Sequence, residues 1–458
     1  MPESVFPINR YLNDDQKSFA YISARERWPV IITGQIDDVS RAIAELDAEK
    51  DAAMITEGKA ILSALSQLKY DLEHDKPLKP LEGNADDIPI YNKQFKARYE
   101  GSTWGSSEWL YSECHMYRQM FVPFESSQHW AKYDYFSRQK EGAFKASATG
   151  VTELALRYKN LSEQLTDDID EETLKLLFRE FTDISLWGNA TDLSLLATMS
   201  LDEIKSLQGA EVRKKNEEKI LINDVDKAWD VLLAERETGQ PIRVDFVLDN
   251  SGFELYADLI MILFLLDANL ANYIVLHPKS LPWFVSDVMP MDVLKTFNYL
   301  ASAEFFPENR PELEYLVEKL VSYHQDGRLL IRTSPFWTTG YSFWEINPNG
   351  AGGGDKVYED LKESTLVIYK GDLNYRKLTG DGKWDRTTSF ATAIGPLAQH
   401  GLRTLSLRTC KADVVVGLKE GEQARLEKEW IDMGNSHGLG WCWSGKWAVI
   451  CFSNGEDN

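Results

Sequence analysis

Residues 243 to 254 read Arg-Val-Asp-Phe-Val-Leu-Asp-Asn-Ser-Gly-Phe-Glu, and this segment constrains the fold more than any other. Val244 to Leu248 is a short β-rich run, Asn250-Ser251-Gly252 is a turn, and an apolar helix follows at once from Phe253 to Ala268. Further strands are expected at Tyr273 to Leu276, Leu329 to Arg332, Thr365 to Tyr369, Thr404 to Leu407, Asp413 to Val416 and Trp447 to Phe452. Helices at Pro290 to Ala303 and Pro311 to Tyr323 fall between them. Strands alternating with helices predict an α/β fold with a mainly parallel sheet covered on both faces.

Before about residue 220 the pattern is helical. Pro29 to Leu46, Lys59 to Leu72, Glu108 to Phe121 behind a Ser107 cap, Thr152 to Leu161, Glu171 to Leu186 and Leu201 to Leu207 carry apolar residues at helical spacing. Lys76 to Ile90, with Pro77, Pro80 and Pro89, reads as a loop, and the Gly-rich stretch Asn347 to Asp355 as a flexible one. The chain therefore divides into a mostly helical region, residues 1–220, and an α/β region, residues 221–458.

Charge narrows the function classes. Lys plus Arg number 50 against 72 Asp plus Glu, a net charge of −22, so the chain lacks the field that draws a protein onto nucleic acid or an anionic membrane. A phosphate-bearing ligand would need a local cation. The longest apolar run, Leu259 to Leu266, is far short of a membrane span, and the N-terminus has no secretory pattern, so the expectation is a soluble, cytoplasmic protein, with the nucleus left open. Cys114, Cys410, Cys442 and Cys451 have no zinc-knuckle spacing, and the histidines form no HxxxH or HxH pair. Gly445-Lys446-Trp447 lacks the Ser or Thr of a P-loop, and Gly434-Asn435-Ser436-His437-Gly438 lacks the strand before a nucleophile elbow.

Ligands of an open α/β sheet gather beyond the carboxyl ends of its strands. Asp249 and Asn250 end one strand and offer hard oxygen ligands to a divalent cation, beside the free N–H groups of a new helix. They equally suit a helix cap. Leu366 to Tyr369 runs into Lys370-Gly371-Asp372-Leu373-Asn374-Tyr375-Arg376, and Leu405 to Leu407 into Arg408-Thr409-Cys410-Lys411. Asp372 and Asn374 suit sugar hydroxyls or metal-bound water, and Arg376 and Lys411 suit phosphate oxygens, although each also suits a surface ion pair. Asp287 is a candidate third metal ligand or a solvated loop carboxylate. Asp192 is a candidate lid residue or a helix cap. Carboxylate and amide oxygens favour Mg²⁺ or Mn²⁺, with Co²⁺ or Ni²⁺ suited to an octahedral, partly watered site.

Asp249-Asn250-Ser251-Gly252-Phe253-Glu254, Lys370 to Arg376 and the RTxK stretch Arg408 to Lys411 together resemble the damage-control phosphatase family (domain of unknown function 89), in its subfamily III, which carries a C-terminal RTxK. The resemblance extends to Arg27-Trp28-Pro29 and to Ile184 through Asp192, covers nearly the whole chain, and is nearest to fungal members. It implies a helical N-terminal region packed on a Rossmann-like three-layer α/β/α domain. It also implies a metal-dependent phosphohydrolase acting on small phosphometabolites, fructose 1-phosphate and fructose 6-phosphate among them. By position it assigns Asp249, Asn250 and Asp287 to the metal, Asp372 to Arg376 and Glu254 to the substrate, and Lys411 to the phosphate. An S-adenosylmethionine-dependent protein carboxyl methyltransferase is the alternative activity it brings.

The expected mechanism has a metal and Lys411 neutralising the phosphoryl oxygens, with Arg376 assisting. Asp249 attacks phosphorus in line to form an aspartyl-phosphate, or metal-bound water attacks directly. Asp192 completes the metal shell when a helical lid closes. A methyltransferase would place a sulfonium where Asp249 and Asn250 instead invite a metal cation. A non-catalytic interaction protein would use the Trp- and Tyr-rich helices as an interface, although aromatics at helical spacing are more often core.

Overall fold

The computed structural model describes residues 3–165, 169–188 and 217–456. Its centre is a seven-stranded sheet in the order β1-β7-β6-β5-β2-β3-β4. The strands are β1 (Ile220–Asn223), β2 (Arg243–Val247), β3 (Tyr273–His277), β4 (Leu329–Ile331), β5 (Leu366–Lys370), β6 (Thr404–Thr409) and β7 (Ala448–Ser453). All pairings are parallel except β6 with β7. The carboxyl ends of β2, β3, β5 and β6 therefore share one edge.

Strand alternation builds the layers. Val244, Phe246, Leu366, Ile368, Leu405 and Leu407 face one core, formed with helices that include Ala148–Ser162, Glu171–Trp187 and Phe253–Asp267. Val247, Val367, Tyr369 and Val449 face a second core, under Gly354–Leu361 and Phe390–Ile394. A third core belongs to the N-terminal helices Trp28–Ala44, Ala52–Glu73 and Trp109–Glu125, and it takes in Trp283, Leu373 and Ala412 from the α/β part. Leu373 follows Asp372 and Ala412 follows Lys411, so the helical region is packed against the residues that end β5 and β6. This is a helical region on a three-layer, mainly parallel α/β domain. Among the described residues no helix is long and apolar enough to cross a membrane.

Local expectations fail where tertiary contacts override them. Asp413 to Val416 forms no strand: Arg386 and Arg408 donate to the carbonyls of Asp413, Val415, Ala412 and Val414, and the Val416 N–H donates to the Tyr375 hydroxyl at 3.1 Å. Ser107 does not cap its helix; its hydroxyl donates to the Thr103 carbonyl at 2.6 Å, and the helix starts at Trp109. The Pro-rich loop yields to a helix at Ile88 because Pro89 suits a first turn. The Gly-rich stretch is packed rather than loose: Cβ atoms on Gly350 and Gly354 would meet the Glu345 carbonyl oxygen at 1.7 and 2.0 Å. The helix expected at Leu201 to Leu207 lies outside the described residues.

Candidate functional site

Beyond β2 the chain is stapled to the segment after β3. Asn250 and Asp287 form an isolated antiparallel bridge, the Ser251 N–H donates to the Ser286 carbonyl at 2.7 Å, and the Val288 N–H donates to the Asp249 carbonyl at 2.8 Å. Phe284 and Val285 reach this position with φ of 43° and 70°. A β-branched residue in the left-handed region is strained, and the strain is held by the packing that aims Ser286 and Asp287 at Asn250. The Ser286 hydroxyl donates to Asn250 Oδ1 at 2.5 Å.

Three carboxylates converge here. Asn250 Nδ2 donates to Asp249 Oδ2 at 2.7 Å and to Glu254 Oε2 at 2.9 Å, while Asp287 is paired with Lys279 at 3.3 Å. Burial, then the carboxylates of Glu254 and Asp287, push the Asp249 carboxyl well above its ordinary value, against the pull of Lys279 and Lys411. Burial also raises Asp287, to about 6. Burial and like charge thus act on these carboxylates in the same direction, toward the neutral acid.

Two buried lysines support the cluster, and neither was given a role from sequence. Lys279 is fully buried and donates to the Leu248 carbonyl at 2.6 Å. Lys370 lies 3.0 Å from Asp258 and 3.6 Å from Glu254, and donates to the Ser185 carbonyl at 2.6 Å. The sequence signal was only a lysine at the end of an apolar strand, which usually marks solvent.

The segment after β5 is a helix, Gly371–Leu378. Gly371 has φ 80°, and a Cβ on it would meet Asp249 Oδ2 at 1.8 Å, so only glycine lets this helix start against Asp249. Asp372 Oδ1 accepts from Arg408 Nε at 2.8 Å and from the Lys411 N–H at 2.9 Å, which joins the second and third motifs. Leu373 points into the third core. Asn374 donates to the carbonyls of Val247, Leu248 and Lys370 at 3.1, 3.2 and 2.8 Å, tying β2 to β5 from below. Tyr375 is buried under the Lys411 loop. Arg376 is held by Glu113 at 2.7 Å and Asp381 at 3.0 Å and lies over the Trp109 ring. Lys411, by contrast, has no carboxylate at ion-pair distance among the described residues, and its charge is felt at Asp249.

The structure thus brings together Asp249, Asn250, Glu254 and Asp287, with Asp372 and Lys411 alongside. Asn374, Tyr375 and Arg376 point into the interior. Asp192 lies outside the described residues. The donor set fits a hard divalent cation: carboxylates from Asp249 and Asp287, the Asn250 amide oxygen, and Asp287 Oδ2 buried without a well-formed hydrogen bond. The third donor of the set is an amide, and among the described residues no three His, Cys, Asp or Glu side chains form a metal-holding group.

Residues 23–426 match the family model described as the damage-control phosphatase ARMT1-like domain. The chain is 33% identical over 462 residues to damage-control phosphatase ARMT1 of Danio rerio, covering 99% of this chain and 98% of the relative. It is 33% identical to the Homo sapiens protein of that name, covering 92% and 95%. A solved DUF89 family protein from Pyrococcus horikoshii aligns over 94% of this chain and 98% of that one, at 12% identity and a TM-score of 0.38.

Proposed function

The chain belongs to the ARMT1-like damage-control phosphatase family, and from that premise we propose a metal-dependent phosphohydrolase that removes phosphate from small phosphorylated metabolites. The observation that carries the reading is the convergence of Asp249, Asn250 and Asp287 at one strand edge, stapled together by the bridge between Asn250 and Asp287. Fructose 1-phosphate and fructose 6-phosphate are the proposed substrates to test first.

In this reading Asp249, Asn250 and Asp287 hold Mn²⁺, Mg²⁺, Co²⁺ or Ni²⁺. The cation supplies Lewis-acid neutralisation of phosphoryl charge when bound. Lys411 neutralises a second phosphoryl oxygen, and Asp372 fixes the backbone that carries it. Glu254 holds Asn250 Nδ2, which leaves Asn250 Oδ1 facing the site with Ser286. Arg376 acts by bracing its helix against Glu113 rather than by touching phosphate. The P–O bond to the leaving group breaks, the leaving oxygen takes a proton, and water supplies the oxygen of the released phosphate. Asp249 performs the first attack in a covalent route, through an aspartyl-phosphate, and orients water in a direct one.

Phosphate release from hexose monophosphates with each metal, and with chelator, tests the reading. Release that depends on metal supports it; chelator-insensitive release, or none with any metal, overturns it. A beryllium fluoride adduct on Asp249 selects the covalent route. The methyltransferase alternative is not favoured, because a carboxylate cluster stapled around Asn250 leaves no Gly-rich turn for that cofactor after β2.

A further inference from the structure

Most cations around this rim are neutralised within the protein. Lys279 faces Asp287, Lys370 faces Asp258, Arg376 faces Glu113 and Asp381, and Arg408 faces Asp372. Lys411 already has a role in the proposed site. Arg27 stands apart from these: it is exposed, its side-chain hydrogen bond goes to the Ser23 hydroxyl at 3.2 Å, and no carboxylate lies at ion-pair distance among the described residues.

Local backbone aims it. Ser23–Arg27 is a π-helical turn set between Phe19–Ile22 and Trp28–Ala44. Such a turn adds a residue and shifts the helix face, and it recurs at functional sites. Trp28, the next residue, is buried and donates to Glu113 at 3.1 Å, the same carboxylate that braces Arg376.

Contacts on both sides place Arg27 at the rim. Its guanidinium lies 5.2 Å from the Phe19 ring centroid, and Phe19 stacks on Trp443 at 5.4 Å. The Phe19 N–H is bonded to Asp413 at 2.9 Å, two residues from Lys411, and Gly445, near Trp443, approaches the Lys411 side chain. On the other side, the buried Tyr117 hydroxyl is within electrostatic reach of both Arg27 and Asp287. Phe19 and Trp443 thus link Arg27 to the Lys411 loop, and Tyr117 links it to the Asp287 segment.

We propose that Arg27 is a specificity-determining residue that recognises a second anionic group on the substrate. The preferred substrates are phosphomonoesters whose leaving group carries a further phosphate or a carboxylate. A guanidinium forks onto either anion with two parallel hydrogen bonds, which a neutral hydroxyl cannot match. The inference rests on the phosphatase reading above and deepens it.

The test compares kcat and KM, with Mn²⁺, for a hexose monophosphate, the matching hexose bisphosphate and the matching phosphorylated sugar acid. An exposed ion pair supports a margin of roughly two- to fivefold in kcat/KM for the doubly anionic substrates. R27M should erase that margin by raising KM, R27K should restore part of it, and added salt should shrink it in the wild type. The bisphosphate and the sugar acid show separately which anion is preferred. Arg27 is exposed, so the unfolding midpoint of R27M should match the wild type. No margin in the wild type, or a margin that survives in R27M, overturns the proposal while phosphate release continues. Failure of the wild type to release phosphate from any of the three overturns the phosphatase reading, and this inference with it.

Discussion

Gly371 and Asp249 are in contact across two strands: a methyl group on Gly371 would lie 1.8 Å from Asp249 Oδ2 and 2.2 Å from its Cγ. The helix after β5 thus sets the position of the carboxylate after β2, and the absence of a side chain at 371 is what permits it. Gly371→Ala must push Asp249 aside or tilt the helix. It also places a Cβ in the left-handed region, at a cost of about 1–2 kcal/mol. Displacing a reacting group by about 1 Å costs about 10²-fold in rate. Phosphate-release assays should show that loss, with a modest fall in the urea midpoint. A variant with wild-type kcat would show that the contact does not position Asp249.

Asp249→Asn separates the two roles of the carboxylate. In the metal-free protein, burial and the nearby Glu254 and Asp287 raise the Asp249 carboxyl, so its ionisation opposes folding as pH rises. The amide removes that penalty, and the metal-free variant should unfold at the same or higher urea concentration than the wild type at pH 8. Turnover should fall by on the order of 10³-fold as Lewis-acid and nucleophilic functions are lost together. Calorimetric titration with Mn²⁺ should show weakened binding. Wild-type activity in this variant would remove Asp249 from the mechanism.

Asp413 predicts a pH dependence outside the metal ligands. Both its oxygens accept from the Phe19 N–H, at 3.0 and 2.9 Å, which docks the N-terminal helix onto the Lys411 loop. Burial raises its carboxyl from 3.8 to about 7. A raised folded value means the stabilising contribution is complete below the ordinary carboxyl value and is lost as pH rises through about 7. The unfolding free energy of the wild type from urea titration should fall between pH 5 and 8, by up to about 3 kcal/mol. Asp413→Asn holds the neutral form throughout and should flatten the profile. Parallel profiles would assign the dependence to another group.

Legibility in the sequence followed the range of the interactions. The ends of β2, β5 and β6 could be read because strand period, glycine and polar residues are local signals, and parallel topology then brings them to one edge. Asp287 could be read as a carboxylate near the edge. Its delivery through positive-φ Phe284 and Val285 could not, since a β-branched residue argues against that conformation. Lys279 and Lys370 were opaque because what buries them is pairing with Asp287, Asp258 and Glu254 across the fold. Arg376 carries a sequence pattern suited to phosphate, but Glu113, which occupies it, comes from the helical region. Asp413 to Val416 looked like a strand because apolar burial, not sheet pairing, is what such a run reports.

Lys370 gives the most direct test of the support beneath the cluster. Its ammonium neutralises Asp258 at 3.0 Å and Glu254 at 3.6 Å in a dry interior, and Ser185 donates to the same Asp258 at 2.6 Å. Lys370→Met fills the volume but leaves both carboxylates without a counter-charge, and breaking a buried pair from one side costs about 3–5 kcal/mol. Because burial already raises Asp258 to about 6, the variant should recover part of the loss by protonating it at acidic pH. Adding Asp258→Asn removes one orphaned charge, so the double variant should be more stable than Lys370→Met alone by on the order of 1–2 kcal/mol. Urea unfolding of the four proteins at pH 7.5 closes the cycle. Strict additivity of the two changes would mean that Lys370 and Asp258 do not neutralise each other.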